Sequence, residues 1–352
     1  NELSLQNLKK ENIDFIKLIK KIKSFNEIIS DINKFKKLKV LVVGEMIIDN
    51  YVFIDPVGKS GKEPILIYKK KYEKKFLGGT GYISNLLSSF VKSVDVLTCL
   101  GEKKNEFNFI KKNINKEVNI HLISKKNSPT IIKTRYLDSY KHNKIMGIYK
   151  INDEPISKIE ETKVINKIKN LAKKCDLIIT ADYGHGYITK KVRSVLQKYQ
   201  NKLYLNTQIN SFNRGFHSLS NYKSANSLVL NESELRHEMK NQNLSLDELI
   251  KKLRNKMKIK NIIITRGRFG SIIFTEKKKK YHCPAFSEVA IDATGAGDTF
   301  FALASLGLCS KLSFDLINLI SSIASSYSVN NLTNKDYYTM KLLNRHLNYM
   351  FQ

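Results

Sequence analysis

The chain has 352 residues, 42% apolar and 26% charged, enough to fill the core of one large domain or two ordinary ones, which argues against a mostly disordered protein. Its 61 Lys and Arg face 32 Asp and Glu, a formal balance of +29, but the lysines run from Lys9 to Lys341 among many Asn and Ile, with no arginine-rich arm, so the charge does not by itself name a nucleic-acid partner. No apolar run approaches the ~20 residues that cross a bilayer, no signal peptide opens the chain, and Cys99, Cys175, Cys283 and Cys309 form no paired-thiol motif; a cytoplasmic protein with no membrane partner is expected.

Residues 1–38 read as a helical leader or linker. Phe15, Leu18, Ile19 and Ile22 recur at helical spacing, and Ser24 with Glu27 makes a capping box ahead of Ile28, Ile29, Ile32 and Phe35. The chain opens at Asn1 without an initiator methionine, so a piece of something longer is expected.

From Lys39 to the end, residues 39–352, short apolar runs alternate with helical stretches. Val40–Val43, Val94–Leu97, Leu177–Thr180, Leu203–Leu205, Leu228–Leu230 and Ile262–Thr265 predict strands covered on both faces, and Thr162–Leu171 and Leu246–Met257 predict helices between them. This rhythm predicts an α/β fold, a three-layer, doubly wound, mostly parallel sheet. Two extended segments, about 51–77 and 130–151, lack a long helix and predict a small β-sheet lid near the carboxyl ends of the first strands.

The most informative stretch is Asp292-Ala293-Thr294-Gly295-Ala296-Gly297-Asp298-Thr299, followed by an apolar helical run from Phe300 to Leu308. Small residues let the backbone approach an anion, and a helix starting there turns free N–H groups toward it. The backbone of Gly295, Ala296 and Gly297 is therefore expected to form an anion hole, with Asp298 placed to take a proton from an attacking hydroxyl. Gly58-Lys59-Ser60 is not a P-loop, since Phe53 stands where that template needs glycine.

The octapeptide resembles the signature of the ribokinase/PfkB carbohydrate kinase family, and other segments extend the resemblance. Val42-Val43-Gly44-Glu45 with Asp49 and Tyr51 is similar to the family's first strand and its sugar-holding acid. Gly78-Gly79, ahead of Asn85, resembles the paired-glycine sugar motif. Asn231-Glu232-Ser233-Glu234 resembles the Asn-x-x-Glu motif, and Thr265-Arg266-Gly267 with Gly270 resembles the segment lining the nucleotide site. Within the family, Ser60-Gly61-Lys62-Glu63-Pro64 and Asp182-Tyr183-Gly184-His185-Gly186 look like the heptose-7-phosphate kinase domain of bifunctional heptose kinase/nucleotidyltransferase enzymes. Asn206-Thr207-Gln208 and Asn213-Arg214-Gly215-Phe216 look like a branch in which the kinase follows a transferase domain.

The resemblance implies an ATP-dependent kinase acting on a sugar or sugar phosphate, with heptose 7-phosphate phosphorylated at its anomeric hydroxyl toward an activated heptose for surface glycans. It implies ATP and Mg2+, leaves open a monovalent cation, allows a homodimer through the lid, and points to a fused or separate nucleotidyltransferase. Asp49, Gly78, Gly79 and Asn85 would bind the sugar; Asn231, Thr265, Gly267 and Gly270 would hold the nucleotide; Glu234 would meet magnesium through water. One departure is Gly79-Thr80-Gly81-Tyr82, where the heptose kinases carry Asn, so that Tyr82 or Asn85 would replace a sugar contact.

Other residues carry two readings each. Asp182, at a strand end, is either a ligand-side carboxylate or a turn acid. Asn231 and Glu234 also fit a capping box. His185 reads as a turn residue. Lys59, Lys62, Lys133 and Arg135 each read as holding an acidic group of the substrate or as solvated surface charge, and Arg135 is favoured over Lys133 because a guanidinium offers a bidentate fork. Another PfkB-type kinase for ribose, fructose or a nucleoside, a non-catalytic binding relative, and a nucleic-acid binder are the competing functions.

Overall fold

The short β-branched runs assemble into the sheet their pattern predicts, in a computed structural model that describes residues 8–209, 218–287, 291–330 and 337–351. In chain order the first half comprises α1 (Lys10–Ile22), α2 (Phe25–Asn33), β1 (Lys39–Gly44), β2 (Met46–Lys59), β3 (Leu66–Gly79), α3 (Thr80–Ser88), β4 (Ser93–Leu100), α4 (Lys104–Asn113), β5 (Val118–Ser124), β6 (Ile131–Asp138), β7 (Lys144–Lys150) and α5 (Lys158–Leu171). The second half comprises β8 (Leu177–Asp182), α6 (Lys190–Gln197), β9 (Leu203–Thr207), β10 (Ser224–Asn231), α7 (Glu232–Glu238), α8 (Leu246–Lys256), β11 (Lys258–Thr265), β12 (Ser271–Phe274), β13 (Lys280–Cys283), α9 (Ala296–Cys309), α10 (Phe314–Val329) and α11 (Met340–Phe351). The Asn213–Phe216 segment singled out in the sequence lies outside the described residues.

Among the described residues, nine strands form one sheet in the order β13-β12-β11-β10-β9-β8-β1-β4-β5. The seven from β11 to β5 run parallel, and β12 and β13 return antiparallel at one edge. Each expected apolar run falls in a strand of this sheet. Successive residues of β1 point to opposite faces: Val40 and Val42 join the core formed with α3, α9 and α10, while Leu41 and Val43 join the one formed with α5, α6 and α8.

The N-terminal helices belong to the first of these cores. Phe15, Ile16 and Ile19 of α1, Ile28 and Ile32 of α2, and Phe35 just beyond are all buried with residues of the main body. The buried stripe of α1 is rotated from the expected one, for Leu18 and Ile22 are 47% and 58% exposed and Ile16 takes the inward place. The capping box expected at Ser24 and Glu27 is present. The change of pattern near Leu38 therefore marks a change of element inside one packed body.

A second sheet, ordered β3-β2-β6-β7, forms the lid. It starts where β1 stops, at Gly44, and returns at Gly79 directly into α3, so it stands over the carboxyl end of β1. Tyr51, Phe53 and Leu137, with Phe76 against them, give it a small core of its own.

Candidate active site

Two cavities of about 360 and 380 Å³ lie at the carboxyl end of the parallel strands, where open α/β sheets bind ligands. Lid residues Asp49, Lys133, Arg135 and Lys144 line the first, together with Gly79, Tyr183, Asn206, Glu234 and Asp298. Gly267, Arg268, Gly270, Ala285, Phe286 and Phe300 line the second. Gln208, Asn231, Thr265, Ala293 and Gly297 belong to both walls, so the cavities abut.

The expected anion loop, residues 292–297, sits at that junction. Gly295 caps α9 in the left-handed region, at φ 79°, a conformation that favours glycine. The N–H groups of Gly297 and Asp298, in the first turn of α9, have no intrahelical acceptor and suit a negative charge, whereas the Ala296 N–H donates to Ala293 O at 3.4 Å. A Cβ built on Gly297 meets nothing within 4 Å, so packing does not require glycine there; its bareness keeps the passage between the cavities open.

Asp298, in the first turn of α9, accepts a hydrogen bond on Oδ1 from the Tyr183 hydroxyl at 2.9 Å. Burial pushes its carboxyl up to about 7, against the Tyr183 hydrogen bond and the Lys133 charge, which both pull it down, and with Asp49, which raises it. A carboxyl poised there can take up a proton near neutral pH.

The lid supplies one side of the first cavity. Asp49, on β2, receives a hydrogen bond on Oδ1 from Nη1 of Arg135, on the paired strand β6. Burial works against the Arg135 charge, but Asp49 more than restores it and holds the guanidinium above its ordinary value. Gly78 does not line the cavity; its role is to admit Asp49, since a Cβ on it would lie 2.2 Å from Asp49 Oδ2. Gly79 lines the cavity at φ +56°, with its missing side chain pressed on the Glu45 carbonyl. Lys133, only 8% exposed, has no ion-pair partner among the described residues; burial lowers its pKa, and its ammonium lies 5.9 Å from the ring centroids of both Tyr149 and Tyr183.

On the other side, Asn231 and Glu234 form the capping box of α7, with the Asn231 side chain accepting from the Glu234 N–H at 2.8 Å and Glu234 Oε2 accepting from the Asn231 N–H at 2.9 Å. Both also line the first cavity, so capping and site placement coincide. Burial lifts the Glu234 carboxyl to about 7. Among the described residues no group of three metal-ligating side chains occurs. Thr265 joins both walls, and Gly267 and Gly270 shape the second. Gly270, at φ +78°, lets the Cys283–Ala285 backbone pass where a Cβ would meet Cys283 O at 1.9 Å.

Three expected sugar contacts lie elsewhere. Asn85 is 1% exposed and ties α3 to the end of α4: Nδ2 donates to Asn113 O at 2.9 Å and to the Tyr337 hydroxyl at 3.0 Å, and Oδ1 accepts from the Asn115 N–H at 2.8 Å. Tyr82 is buried, its hydroxyl 2.8 Å from Thr299 Oγ1, and so braces α3 against α9. Asp182 is 1% exposed, accepting from the Tyr222 hydroxyl at 2.7 Å and the Gly184 N–H at 3.2 Å, beside the buried Glu45, whose carboxyl burial and Asp182 push up to about 7. None of the three lines either cavity. Lys59 and Lys62 are exposed at the far end of the lid hairpin, outside both. His185 is buried, with Nδ1 2.6 Å from Asp153.

Tyr183 and Lys144 escaped the sequence reading. Tyr183 lies inside the Asp-Tyr-Gly-x-Gly turn, whose repeated glycines were its signal. Lys144 had none, being one lysine among many. Its ammonium reaches Asp292 Oδ1 at 2.7 Å and Thr294 Oγ1 at 3.2 Å, and the Tyr51 hydroxyl donates to Asp292 Oδ2 at 3.0 Å, so the lid grips the anion loop. Lys144 and Thr294 hold the Asp292 carboxyl below its usual range despite its burial.

The chain is 28% identical over 276 residues to the bifunctional protein HldE of Nitratiruptor sp., covering 77% of this chain and 56% of that one. It is also 28% identical over 281 residues to the bifunctional protein HldE of Campylobacter jejuni, covering 79% and 58%. The chain thus spans little more than half the length of these relatives. The fold matches the ribokinase of Thermotoga maritima with a TM-score of 0.68 at 18% identity, over 88% of this chain and 99% of that one. It matches Arabidopsis thaliana ribokinase, complexed with ribose and ATP, with a TM-score of 0.66 at 17% identity over the same shares, 88% and 99%. The family described as pfkB family carbohydrate kinase matches residues 37–318, and the chain belongs to it.

Proposed function

We propose that this pfkB-family chain transfers the γ-phosphoryl group of ATP to the anomeric hydroxyl of a phosphorylated heptose, D-glycero-D-manno-heptose 7-phosphate. The observation that carries the reading is the position of Asp298: a carboxyl with a pKa of about 7 on the wall of the lid-side cavity, in the first turn of the helix that opens where the two cavities meet.

In this reading ATP occupies the cavity walled by Gly267, Gly270 and Phe286, with its γ-phosphate at Gly297. The acceptor lies under the lid, its hydroxyls held by Asp49 and Gly79. Magnesium, where bound, neutralises phosphate charge, and Glu234 and Asn231 are the residues that would meet its water shell. Asp298 takes the proton of the attacking hydroxyl while the amides of Gly295, Ala296 and Gly297 stabilise the transferred group. A 7-phosphate on the acceptor accounts for the lid's cations: Arg135 is committed to Asp49, which leaves Lys133 for the anion. A cytoplasmic location suits an ATP-dependent enzyme, and a nucleotidyltransferase, fused or separate, would take its product onward.

The test is ATP consumption against heptose 7-phosphate, unphosphorylated heptose, ribose, fructose and nucleosides. The phosphorylated heptose should give the highest kcat/KM, and Asp298→Asn should lower the rate ~10²–10⁴-fold. Preference for an unphosphorylated sugar overturns the substrate assignment, and full activity of Asp298→Asn overturns the base.

A further inference from the structure

We propose that Tyr183 is a positioning residue for Asp298: its hydroxyl fixes one carboxylate oxygen so that the other receives the acceptor's proton, while its ring lies beneath the lid lysine Lys133, making lid closure and base alignment one event. This rests on the reading of Asp298 as the base.

The geometry has three parts. First, the Tyr183 hydroxyl donates to Oδ1 of Asp298 at 2.9 Å, and Oδ2 has no hydrogen bond among the described residues. A carboxylate held by one oxygen presents the other in a fixed direction, which removes a rotational freedom from proton transfer. Second, Tyr183 stands on a rigid support. It follows β8 directly, its N–H donates to Glu45 Oε2 at 3.1 Å, and the next residue, Gly184, turns back at φ 72° with its N–H on Asp182. The buried carboxylates Glu45 and Asp182 thereby act through the backbone of this turn instead of on substrate. Third, the ammonium of Lys133, on β6, lies 5.9 Å from the Tyr183 ring centroid and 5.9 Å from that of Tyr149, on β7. The lid reaches Asp298 through this stack.

Five groups act on Asp298 from the elements around it. Lys133 of β6 and the Tyr183 hydroxyl favour its ionised form; Asp49 of β2 disfavours it; Glu234 of α7 and Tyr82 of α3 each feel its charge. Tyr183 cannot replace it as the base, because burial and the Asp298 charge hold the phenol well above its ordinary value. In the step itself the acceptor O–H bond breaks toward Oδ2 as the acceptor oxygen bonds to phosphorus. The bond from phosphorus to the bridging oxygen of the leaving diphosphate breaks, and its electron pair stays on that oxygen. Tyr183 keeps its proton throughout.

The experiment is the pH dependence of kcat/KM for Tyr183→Phe and Lys133→Met beside Asp298→Asn, with thermal unfolding as a check on folding. Tyr183→Phe keeps the ring and removes only the hydroxyl. It should lower kcat about ten-fold at pH 7, move the acidic limb to higher pH, leave kcat about three-fold below the parent on the alkaline plateau where Asp298 is fully ionised, and leave the KM for ATP unchanged. Lys133→Met should shift the limb in the same direction while also raising the acceptor KM. A Tyr183→Phe limb that does not move, with Asp298→Asn inactive, overturns the positioning role and leaves the base intact. An active Asp298→Asn overturns the base and the positioning role together.

Discussion

The side-chain amide of Asn12, in the first helix, donates to the carbonyl of Ala285 at 2.9 Å, so the N-terminal segment holds a wall of the cavity assigned to the nucleotide. Ala285 is gripped from the other side by the close approach of Gly270. Asn12 is 3% exposed, and Asn12→Ala leaves the half-buried Ala285 carbonyl without its partner, a loss of ~1 kcal/mol of local order. The KM for ATP should rise several-fold with the acceptor KM unchanged, as steady-state kinetics would register. Removing residues 1–38 should do more: it strips Phe15, Ile16, Ile19, Ile28, Ile32 and Phe35 from the core and uncovers α11, and the shortened chain should unfold at a markedly lower temperature or fail to stay in solution.

Activity and stability should respond to pH in opposite directions. Asp298 must be ionised to accept a proton, so kcat/KM should climb as pH rises through about 7. Glu45, Glu234 and Asp298 all have folded pKa values raised to about 7 from ordinary values of 4.5, 4.5 and 3.8. A raised carboxyl means the folded state binds more protons than the unfolded state between the two values, so stability falls as pH rises across that window. Asp292, Glu232 and Glu160 are shifted down and act below it, adding stability as pH rises through the acid range. Thermal midpoints should therefore peak between about pH 4 and 5, decline as pH rises to about 7 and level off above it, and Glu45→Gln should flatten the decline.

The grip of the lid on the anion loop can be tested apart from folding. Lys144 is half-exposed, whereas Asp292 beneath it is 3% exposed and also carries the Tyr51 hydroxyl and the Thr294 side chain. Losing the lysine leaves Asp292 with neutral partners, so the chain should still fold. Lys144→Ala should lower kcat/KM about ten-fold with a thermal midpoint within a few degrees of the parent, and hydrogen exchange should quicken at residues 292–295. A large fall in midpoint with kinetics intact would assign the pair to stability alone.

What the sequence disclosed depended on how local the signal was. The loop before α9 is contiguous, and its glycines and the helix after it carry their geometry within eight residues, so the shape of the turn at Gly295 and the start of the helix are legible from residue order alone. Six of the seven parallel strands announced themselves because both faces are buried. The edge strands β5 and β13 are half-exposed, their apolar pattern is diluted, and they passed unnoticed. Asn85 and Tyr82 were misread for another reason: the helix α3 they share is buried along nearly its whole length, so spacing could not say which face meets the ligand. Asp182 shows the same limit at a strand end, since only the fold reveals that Tyr222 and Gly184 absorb its oxygens. The pairing of Asp49 with Arg135 needs the register of β2 against β6, which no single-segment reading supplies.

Two glycines separate packing from chemistry. A Cβ on Gly78 would fall 2.2 Å from Oδ2 of Asp49, whereas one on Gly297 would stand in open space on the wall shared by both cavities. Gly78→Ala must push Asp49 away from Arg135, so the acceptor KM should rise at least ten-fold and the folded state should weaken. Gly297→Ala strains nothing, and its thermal midpoint should match the parent's. Its methyl nevertheless sits where the phosphoryl group would pass, so kcat should fall ~10-fold or more with little change in either KM. Measuring both variants by kinetics and thermal unfolding settles the point: equal kcat for Gly297→Ala and the parent would mean that phosphoryl transfer does not run through the junction of the two cavities.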